Sequence, residues 1–177
     1  MKNRRAVFLD RDGVINRAYV REGRPYPPAG LAEIEFLPGV AQALTALHEA
    51  GFLLIVVTNQ PDVARGITPR EIIEEINNYL AAHLAIDEFR VCFHDDSDGC
   101  DCRKPLPGAL LAAAKLHDID LAKSYMVGDR WKDTEAGQKA GCKTIFIDYG
   151  YVEKQPESVD YRVKSLFEAA QIILGEK

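Results

Sequence analysis

The alternation of short apolar runs with segments of helical periodicity is the strongest constraint on the fold of this chain. Runs with the composition of buried strands lie at residues 5–9, 52–57, 89–93, 124–127 and 143–147. Helical spacing is found at residues 40–50, 69–80, 131–140 and 165–174, and Pro107 opens one more helix. This alternation predicts an α/β fold, in which a parallel sheet lies between two layers of helices.

Some local expectations are more specific. Residues 16–39 are rich in glycine, proline and charge, which indicates a loop over the surface. Residues 68–71 predict a capping box with proline at the first helical position. The core-facing side chains expected on the helix after that box, and on the helix after Pro107, are Ile72, Ile76, Tyr79, Leu80, Leu110, Leu111 and Ala114.

Length and charge restrict the class of protein. The 177 residues suffice for one domain, expected to span 1–177, and are too few for two ordinary ones. A net charge of −5 argues against a general nucleic-acid binder. The sequence contains neither a signal-peptide pattern nor an apolar run of about 18 residues, so a cytoplasmic protein without membrane contact is expected. No coiled-coil pattern is present, and a monomer is expected.

Polar clusters follow three of the expected strands, at residues 10–12, 58–60 and 128–130. In parallel α/β sheets, ligands bind beyond the carboxyl ends of the strands. The three clusters are therefore expected to meet at one edge of the sheet, which is the main reason to interpret the chain as an enzyme.

Four carboxylates belong to these clusters or lie close to them: Asp10, Asp12, Asp129 and Asp133. Converging carboxylates repel one another unless a cation lies among them, and ligands that are all oxygen suit Mg²⁺. A metal and a neighbouring negative charge shift carboxyl pKa values in opposite directions. Two carboxylates with separated pKa values can serve as nucleophile and general acid in phosphoryl transfer.

Three further groups fit the needs of phosphoryl transfer. Thr58 offers a hydroxyl and Asn59 a backbone N–H to phosphoryl oxygens, and Gln60 belongs to the same cluster. Lys104 offers a cation to the same oxygens. Fixed positive charge and hydrogen-bond donors of this kind dominate the catalysis of phosphoryl transfer.

Three cysteines and one histidine lie close together between residues 92 and 102. Cys92 and His94 are followed by Cys100 and Cys102. Three sulfurs and one imidazole nitrogen fit a closed tetrahedral Zn²⁺ site, which leaves no position for a reactive water. A structural zinc loop at 92–102, which leads directly into Arg103 and Lys104, is therefore expected. Cys142 follows a glycine at the start of a strand and is expected to be a core thiol.

The motifs around these residues resemble the four motifs of the haloacid dehalogenase superfamily. They are Phe-Leu-Asp-Arg-Asp-Gly at 8–13, Thr-Asn-Gln at 58–60, Lys104, and Gly-Asp at 128–129 with Asp133. The resemblance implies a three-layer Rossmann-like sheet. Asp10 would attack phosphorus, and Asp12 would protonate the leaving alcohol and then activate water. Mg²⁺ would be held by Asp10, Asp129 and the backbone carbonyl of Asp12, and the backbone carbonyl of residue 130 is a further candidate ligand.

The cysteine loop and the Arg-Lys-Pro sequence at 103–105 resemble one branch of this superfamily, which lacks a large cap domain. Its members hydrolyse a heptose bisphosphate or histidinol phosphate. The branch implies a small phosphorylated metabolite as substrate, in first place D-glycero-D-manno-heptose 1,7-bisphosphate with loss of the 7-phosphate. Histidinol phosphate is the alternative, and a non-catalytic module that binds a phosphorylated ligand is the alternative of another class. A nucleic-acid 3′-phosphatase is disfavoured by the acidic charge.

Two features depart from that branch, namely Arg130 in place of a lysine and a longer stretch at 23–30. Both lie where the far end of a substrate could bind. Arg103 is expected to contact that end, and a second phosphate on the substrate would favour such local positive charge. Weaker candidates for the same contact are Arg17, Tyr19, Arg21, Arg24, Arg65 and Arg130.

Overall fold

Six parallel strands form the central sheet of the protein, whose computed structural model describes residues 4–176. The strands are β1 (Arg5–Leu9), β2 (Tyr19–Arg21), β3 (Arg24–Tyr26), β4 (Phe52–Asn59), β5 (Glu88–Cys92), β6 (Tyr125–Gly128), β7 (Lys143–Ile147) and β8 (Tyr161–Val163). The α-helices are α1 (Val40–Glu49), α2 (Arg70–His83), α3 (Gly108–His117), α4 (Trp131–Ala140) and α5 (Leu166–Gly175). The sheet has the order β5-β4-β1-β6-β7-β8, and β2 pairs with β3 in a separate hairpin.

Each face of the sheet carries its own hydrophobic core. Along β1, Val7 and Leu9 pack into one core while Ala6 and Phe8 pack into the other, because successive side chains of a strand point to opposite faces. The first core contains buried side chains of α1, α2 and α5, and the second contains those of α3 and α4. The predicted three-layer arrangement is therefore confirmed.

The stretch at 16–39 differs from the predicted surface loop, because it contains the β2–β3 hairpin and a short 3-10 helix, Leu31–Glu33. Glu22 and Gly23 form the turn with φ values of 51° and 75°. Positive φ at both turn residues matches the twist of the flanking strands. Asn16, at the start of this stretch, is fully buried.

Helix α2 also differs from its prediction. It begins at Arg70 with Pro69 as an extended N-cap, and no side-chain hydrogen bond caps it. The predicted capping box at 68–71 does not form because the helix starts one residue later than the box requires. Its buried residues are Ile73 and Asn77 together with the expected Ile76 and Leu80, whereas Ile72 and Tyr79 are half-buried. On α3, the expected core residue Leu111 is 45% exposed.

The three strands that precede the polar clusters are neighbours, since β1 lies between β4 and β6. All pairings in this sheet are parallel, so their carboxyl ends share one edge. Within residues 4–176, no helix has the length and apolar character needed to cross a membrane.

Candidate active site

The polar clusters converge on one cavity of about 270 Å³ at the carboxyl edge of the sheet. Its walls include Asp10, Asp12, Thr58, Lys104, Arg130 and Asp133. Asp10 directly follows β1, Thr58 is the penultimate residue of β4, and Asp133 lies in the first turn of α4. The polar clusters at the strand ends thus meet at one cavity, as predicted.

Lys104 is the buried cation of this cavity. Its ammonium lies 2.8 Å from Asp10 Oδ1 and 2.7 Å from Asp133 Oδ1, and it donates to the Val57 carbonyl at 2.6 Å. Burial by itself would lower the pKa of Lys104, but the two carboxylates outweigh it and raise that pKa. The lysine therefore stays charged and holds Asp10 in place.

Asp10 has an unusual pKa for an aspartate. Burial, followed by the neighbouring Asp133 carboxylate, raises the pKa of Asp10 from 3.8 to about 6, even though Lys104 opposes the shift. One cation thus does not neutralise the cluster. The site has an excess of negative charge that a second cation would relieve.

Asp129 supplies the strongest sign that a metal ion belongs here. Tyr151 donates from its hydroxyl to Asp129 Oδ2 at 2.9 Å, whereas the buried Oδ1 has no hydrogen-bond partner among residues 4–176. Burial, then the charge of Asp10, raises the pKa of Asp129 well above its usual value. Carboxylate oxygens of Asp10, Asp129 and Asp133 lie within 4.8 Å of one another. An orphaned oxygen among three carboxylates fits a hard divalent cation such as Mg²⁺.

Two glycines make this convergence possible. Gly13 has φ of 89°, and a Cβ at that position would lie 2.0 Å from Asp129 Oδ2. A Cβ on Gly128 would lie 2.1 Å from Cβ of Asp133. Any other residue at either position would displace a carboxylate of the cluster.

Asp12 is held by four donors. Arg11 donates from Nε and Nη2 to its two oxygens at 3.1 and 3.2 Å, and the side-chain amides of Asn16 and Gln60 donate at 2.9 and 3.0 Å. The guanidinium of Arg11 is fully buried and also donates to Asn77 Oδ1 of α2 at 3.0 Å. This network fixes the orientation of Asp12 at the cavity wall.

The side chains of Asn59 and Gln60 hold neighbouring groups of the site. The side chain of Asn59 clamps the backbone of Lys104, accepting from its N–H at 3.1 Å and donating to its carbonyl at 3.0 Å. Gln60 bridges Asp12 and Thr58 through its Nε2. Both residues line the cavity and also position its charged groups.

Among the distal candidates, Arg130 lines the cavity and forms an ion pair with Glu153 at 2.6 Å. Arg103 and Tyr19 differ from expectation, since neither lines it. The guanidinium of Arg103 is drawn to Asp96 at 2.7 Å, and the Tyr19 hydroxyl donates to the Glu33 carbonyl beside a separate cavity.

The cysteine loop has the geometry of a metal site. Sγ of Cys92 lies 3.7 Å from Cys100 Sγ, 3.2 Å from Cys102 Sγ and 3.5 Å from His94 Nδ1. None of the three cysteines is in a disulfide. Zn–S bonds of about 2.3 Å in a tetrahedron separate the sulfurs by about 3.8 Å, so the donor set fits Zn²⁺. Cys142 is buried away from this group, as expected of a core thiol.

Sequence reasoning missed Arg11, Asn16, Asn77 and Tyr151 as site residues. Arg11 and Asn16 lie within six residues of Asp10, where a charged or amide side chain next to a strand end is a usable signal. Asn77 and Tyr151 come from α2 and from the segment after β7, and nothing in their local sequence points to the site.

Comparisons with known proteins agree with this geometry. Residues 27–141 match the family of haloacid dehalogenase-like hydrolases. The D-glycero-beta-D-manno-heptose-1,7-bisphosphate 7-phosphatase of Pasteurella multocida (strain Pm70) is 34% identical over 190 residues, which cover 98% of this chain and 99% of that protein. Its counterpart from Escherichia coli (strain K12) is 35% identical over 185 residues, covering 95% of this chain and 93% of that one.

A solved structure shares the fold nearly end to end. The D,D-heptose 1,7-bisphosphate phosphatase from B. bronchiseptica, crystallised with magnesium and phosphate, superposes with a TM-score of 0.83 and 31% sequence identity. The match covers 98% of this chain and 99% of that one. Together with the family match, these relatives confirm the resemblance that the four motifs indicate, and the chain belongs to the haloacid dehalogenase-like hydrolases.

Proposed function

We propose that this chain is a magnesium-dependent phosphatase that removes the 7-phosphate of D-glycero-D-manno-heptose 1,7-bisphosphate. The relatives described above supply the substrate, because they match the chain over almost its whole length. The observation that carries the proposal is the position of Asp10. It lies at a cavity wall, salt-bridged to Lys104, and one of its carboxylate oxygens lies within 4.8 Å of a carboxylate oxygen of Asp129.

In the proposed reaction, Asp10 is the nucleophile. A carboxylate oxygen of Asp10 bonds to phosphorus while the ester bond to the sugar oxygen breaks. Asp12 gives a proton to the departing oxygen, and the phosphoryl group is left on Asp10. Asp12 then takes a proton from a water molecule that attacks the aspartyl-phosphate, which releases inorganic phosphate and restores Asp10.

The surrounding residues position the phosphoryl group. Thr58 offers its hydroxyl and Asn59 its backbone N–H to phosphoryl oxygens, and Lys104 offers positive charge. Asp133 supports this arrangement, because it anchors Lys104 and accepts from the backbone N–H of Arg130 at 3.0 Å. These groups are in place before substrate arrives, which limits reorganisation during the reaction.

Asp10, Asp129 and the backbone carbonyl of Asp12 would hold the Mg²⁺. When bound, the cation neutralises charge on the phosphoryl oxygens and on the carboxylates. The intact carboxylate cluster and its balancing lysine argue against a non-catalytic binding module. Such a module would have no use for three buried carboxylates beside its ligand.

Cys92, His94, Cys100 and Cys102 would hold a structural Zn²⁺. The loop they form is tied to the cavity wall by Arg65, which donates to the two carboxylate oxygens of Asp95 at 2.9 and 2.7 Å. Metal occupancy in the loop thus supports one wall of the cavity as well as the chain that leads into Lys104.

Steady-state kinetics test the substrate. The expected result is a kcat/KM for heptose 1,7-bisphosphate that is at least about 100-fold above that for histidinol phosphate, the size of a strong two-hydrogen-bond discrimination. A preference for histidinol phosphate would refute the proposed substrate but would leave the proposed phosphatase mechanism unaffected.

The nucleophile is tested with Asp10→Asn, which is expected to abolish turnover. Asp118→Asn is its matched control, because Asp118 is exposed and its left-handed backbone suits asparagine. Retained activity in Asp10→Asn would refute the mechanism.

A further inference from the structure

Arg11 sets the orientation of the Asp12 carboxylate. Of the four donors to Asp12, only the Arg11 guanidinium contacts both carboxylate oxygens, with Nε 3.1 Å from Oδ1 and Nη2 3.2 Å from Oδ2. Asn16 and Gln60 each contact one oxygen. A planar guanidinium that binds both oxygens of a carboxylate fixes its angle as well as its position. The direction in which Asp12 faces the cavity therefore depends on how Arg11 is held.

Asn77 of α2 holds the third nitrogen of this guanidinium. Nη1 of Arg11 donates to Asn77 Oδ1 at 3.0 Å. Arg11 is 0% and Asn77 is 7% exposed, so little water competes for this contact. Turning the guanidinium away from Asp12 would also break its bond to Asn77, and the protein would leave a buried donor without a partner. The helix thus fixes Arg11, and Arg11 fixes Asp12.

Asn77 occupies a helical position at which packing alone would favour an apolar side chain. It belongs to the buried stripe of α2, whose other members are Ile73, Ile76 and Leu80. A buried amide is unfavourable there unless it is hydrogen-bonded. An amide also differs from a carboxylate, which would pair with Arg11 and compete with Asp12 for its charge. A neutral acceptor leaves the positive charge of Arg11 to Asp12.

We propose that Arg11 and Asn77 are positioning residues for general acid catalysis, because together they aim Asp12 at the oxygen of the leaving group. This inference rests on the proposed function and adds a residue of α2 to the groups on which the reaction depends. In the step concerned, the bond between phosphorus and the sugar oxygen breaks, its electron pair stays on that oxygen, and Asp12 supplies the proton. A sugar alkoxide is too basic to leave without this proton, whereas a nitrophenolate leaves unprotonated.

The test compares these two leaving groups on the same enzyme preparation. kcat/KM is measured for heptose 1,7-bisphosphate and for p-nitrophenyl phosphate with the wild type, Asn77→Leu and Arg11→Lys. Lysine keeps the charge of Arg11 but does not reproduce its planar fork. kcat/KM covers the reaction only as far as the departure of the alcohol, so the later activation of water by Asp12 does not enter. Unfolded protein lowers both values equally and leaves their ratio unchanged.

Both variants are expected to lower kcat/KM for the heptose bisphosphate by about 10- to 100-fold, the effect of a misaligned catalytic group, and that for p-nitrophenyl phosphate by less than about threefold. The matched controls Asn78→Leu and Arg70→Lys, at exposed positions of the same helix, are expected to behave as the wild type. Equal losses on the two substrates, or no loss on either, would overturn the proposal. If Asn77→Leu or Arg11→Lys does not fold, Asn77→Ala removes the acceptor without adding bulk and is held to the same expectation.

Asp12→Asn separates this inference from the proposed function, and it is expected to lose at least about 100-fold on the heptose bisphosphate alone. If Asp12→Asn loses activity equally on both substrates, Asp12 is not the acid, and the proposed mechanism fails together with the inference. If Asp12→Asn is selective but the Arg11 and Asn77 variants are not, the acid stands and the positioning role is refuted. A wild type that hydrolyses only p-nitrophenyl phosphate would refute the heptose assignment, and fructose 6-phosphate then supplies the alkoxide leaving group for the same comparison.

Discussion

Replacing Asp10 with asparagine is expected to stabilise the metal-free protein while it abolishes activity. Asparagine has nearly the shape of a protonated aspartate and carries no charge. Burial, followed by the charge of the neighbouring Asp133, raises the pKa of Asp10 from 3.8 to about 6. At neutral pH the charged form is therefore held in the folded state at a penalty that asparagine does not have.

The size of this effect follows from the pKa. A difference of about two units corresponds to about 3 kcal/mol in the free energy of unfolding, at about 1.4 kcal/mol per unit. This value already includes the attraction to Lys104, since Lys104 opposes the shift. For a domain of this size, about 3 kcal/mol raises the midpoint of thermal unfolding by about 6–12 °C.

The pH dependence has a definite sign. Between the unfolded pKa near 4 and the folded pKa near 6, the native state holds more protons than the unfolded chain, so wild-type stability falls as pH rises. The advantage of Asp10→Asn is thus complete above about pH 6, roughly half as large at pH 5, and absent near pH 3.

Thermal and urea unfolding of both proteins, after dialysis against buffer without Mg²⁺, measure this difference. Chelators are avoided because they would also remove the Zn²⁺ that is proposed for the cysteine loop. Asp118→Asn controls for the amide substitution and is expected to change stability by less than about 0.5 kcal/mol. Adding Mg²⁺ is expected to stabilise the wild type more than Asp10→Asn. A variant less stable than the wild type without metal, or an advantage independent of pH, would refute the reasoning.

Three further variants examine other parts of the site. Tyr151→Phe removes a hydrogen bond to Asp129, a proposed ligand of Mg²⁺, and we expect about tenfold weaker Mg²⁺ binding in a titration followed by thermal unfolding. An unchanged affinity would contradict this expectation. Gly13→Ala and Gly51→Ala both place alanine at positive φ, but only the first meets a carboxylate, so only the first is expected to lose Mg²⁺ binding. Cys100→Ser is expected to lose copurified zinc by elemental analysis, whereas Cys142→Ser retains about one equivalent.

The sequence predicted the sheet well because its central strands are buried on both faces. Such strands appear in the sequence as continuous apolar runs, and strand β7 begins and ends at the predicted residues. Helix α4 also begins and ends at the predicted residues. The carboxylate cluster was predictable for the same reason, since the polar residues directly follow those runs. Strand β8 was missed because three residues, Tyr161–Val163, are too short for a periodic pattern.

The parts that the sequence did not predict depend on packing between distant segments. Asn77 reaches Arg11 only because α2 lies against the chain after β1, and its helical position carries no sign of that contact. Tyr151 likewise reaches Asp129 from a segment without regular structure. The β2–β3 hairpin had a usable signal, because Glu22 and Gly23 separate two short segments, but its high glycine and proline content favoured a loop.

The complete burial of Arg11 has a consequence for how the protein responds to dissolved salt. Mobile ions screen charges that face water, with a Debye length of about 8 Å at physiological ionic strength, but they do not reach a guanidinium enclosed by protein. The contact between Arg11 and Asp12 is therefore insensitive to ionic strength, whereas Arg24 at the exposed rim is not. Rising salt is thus expected to weaken the capture of an anionic molecule and to leave the proton transfer proposed for Asp12 unaffected.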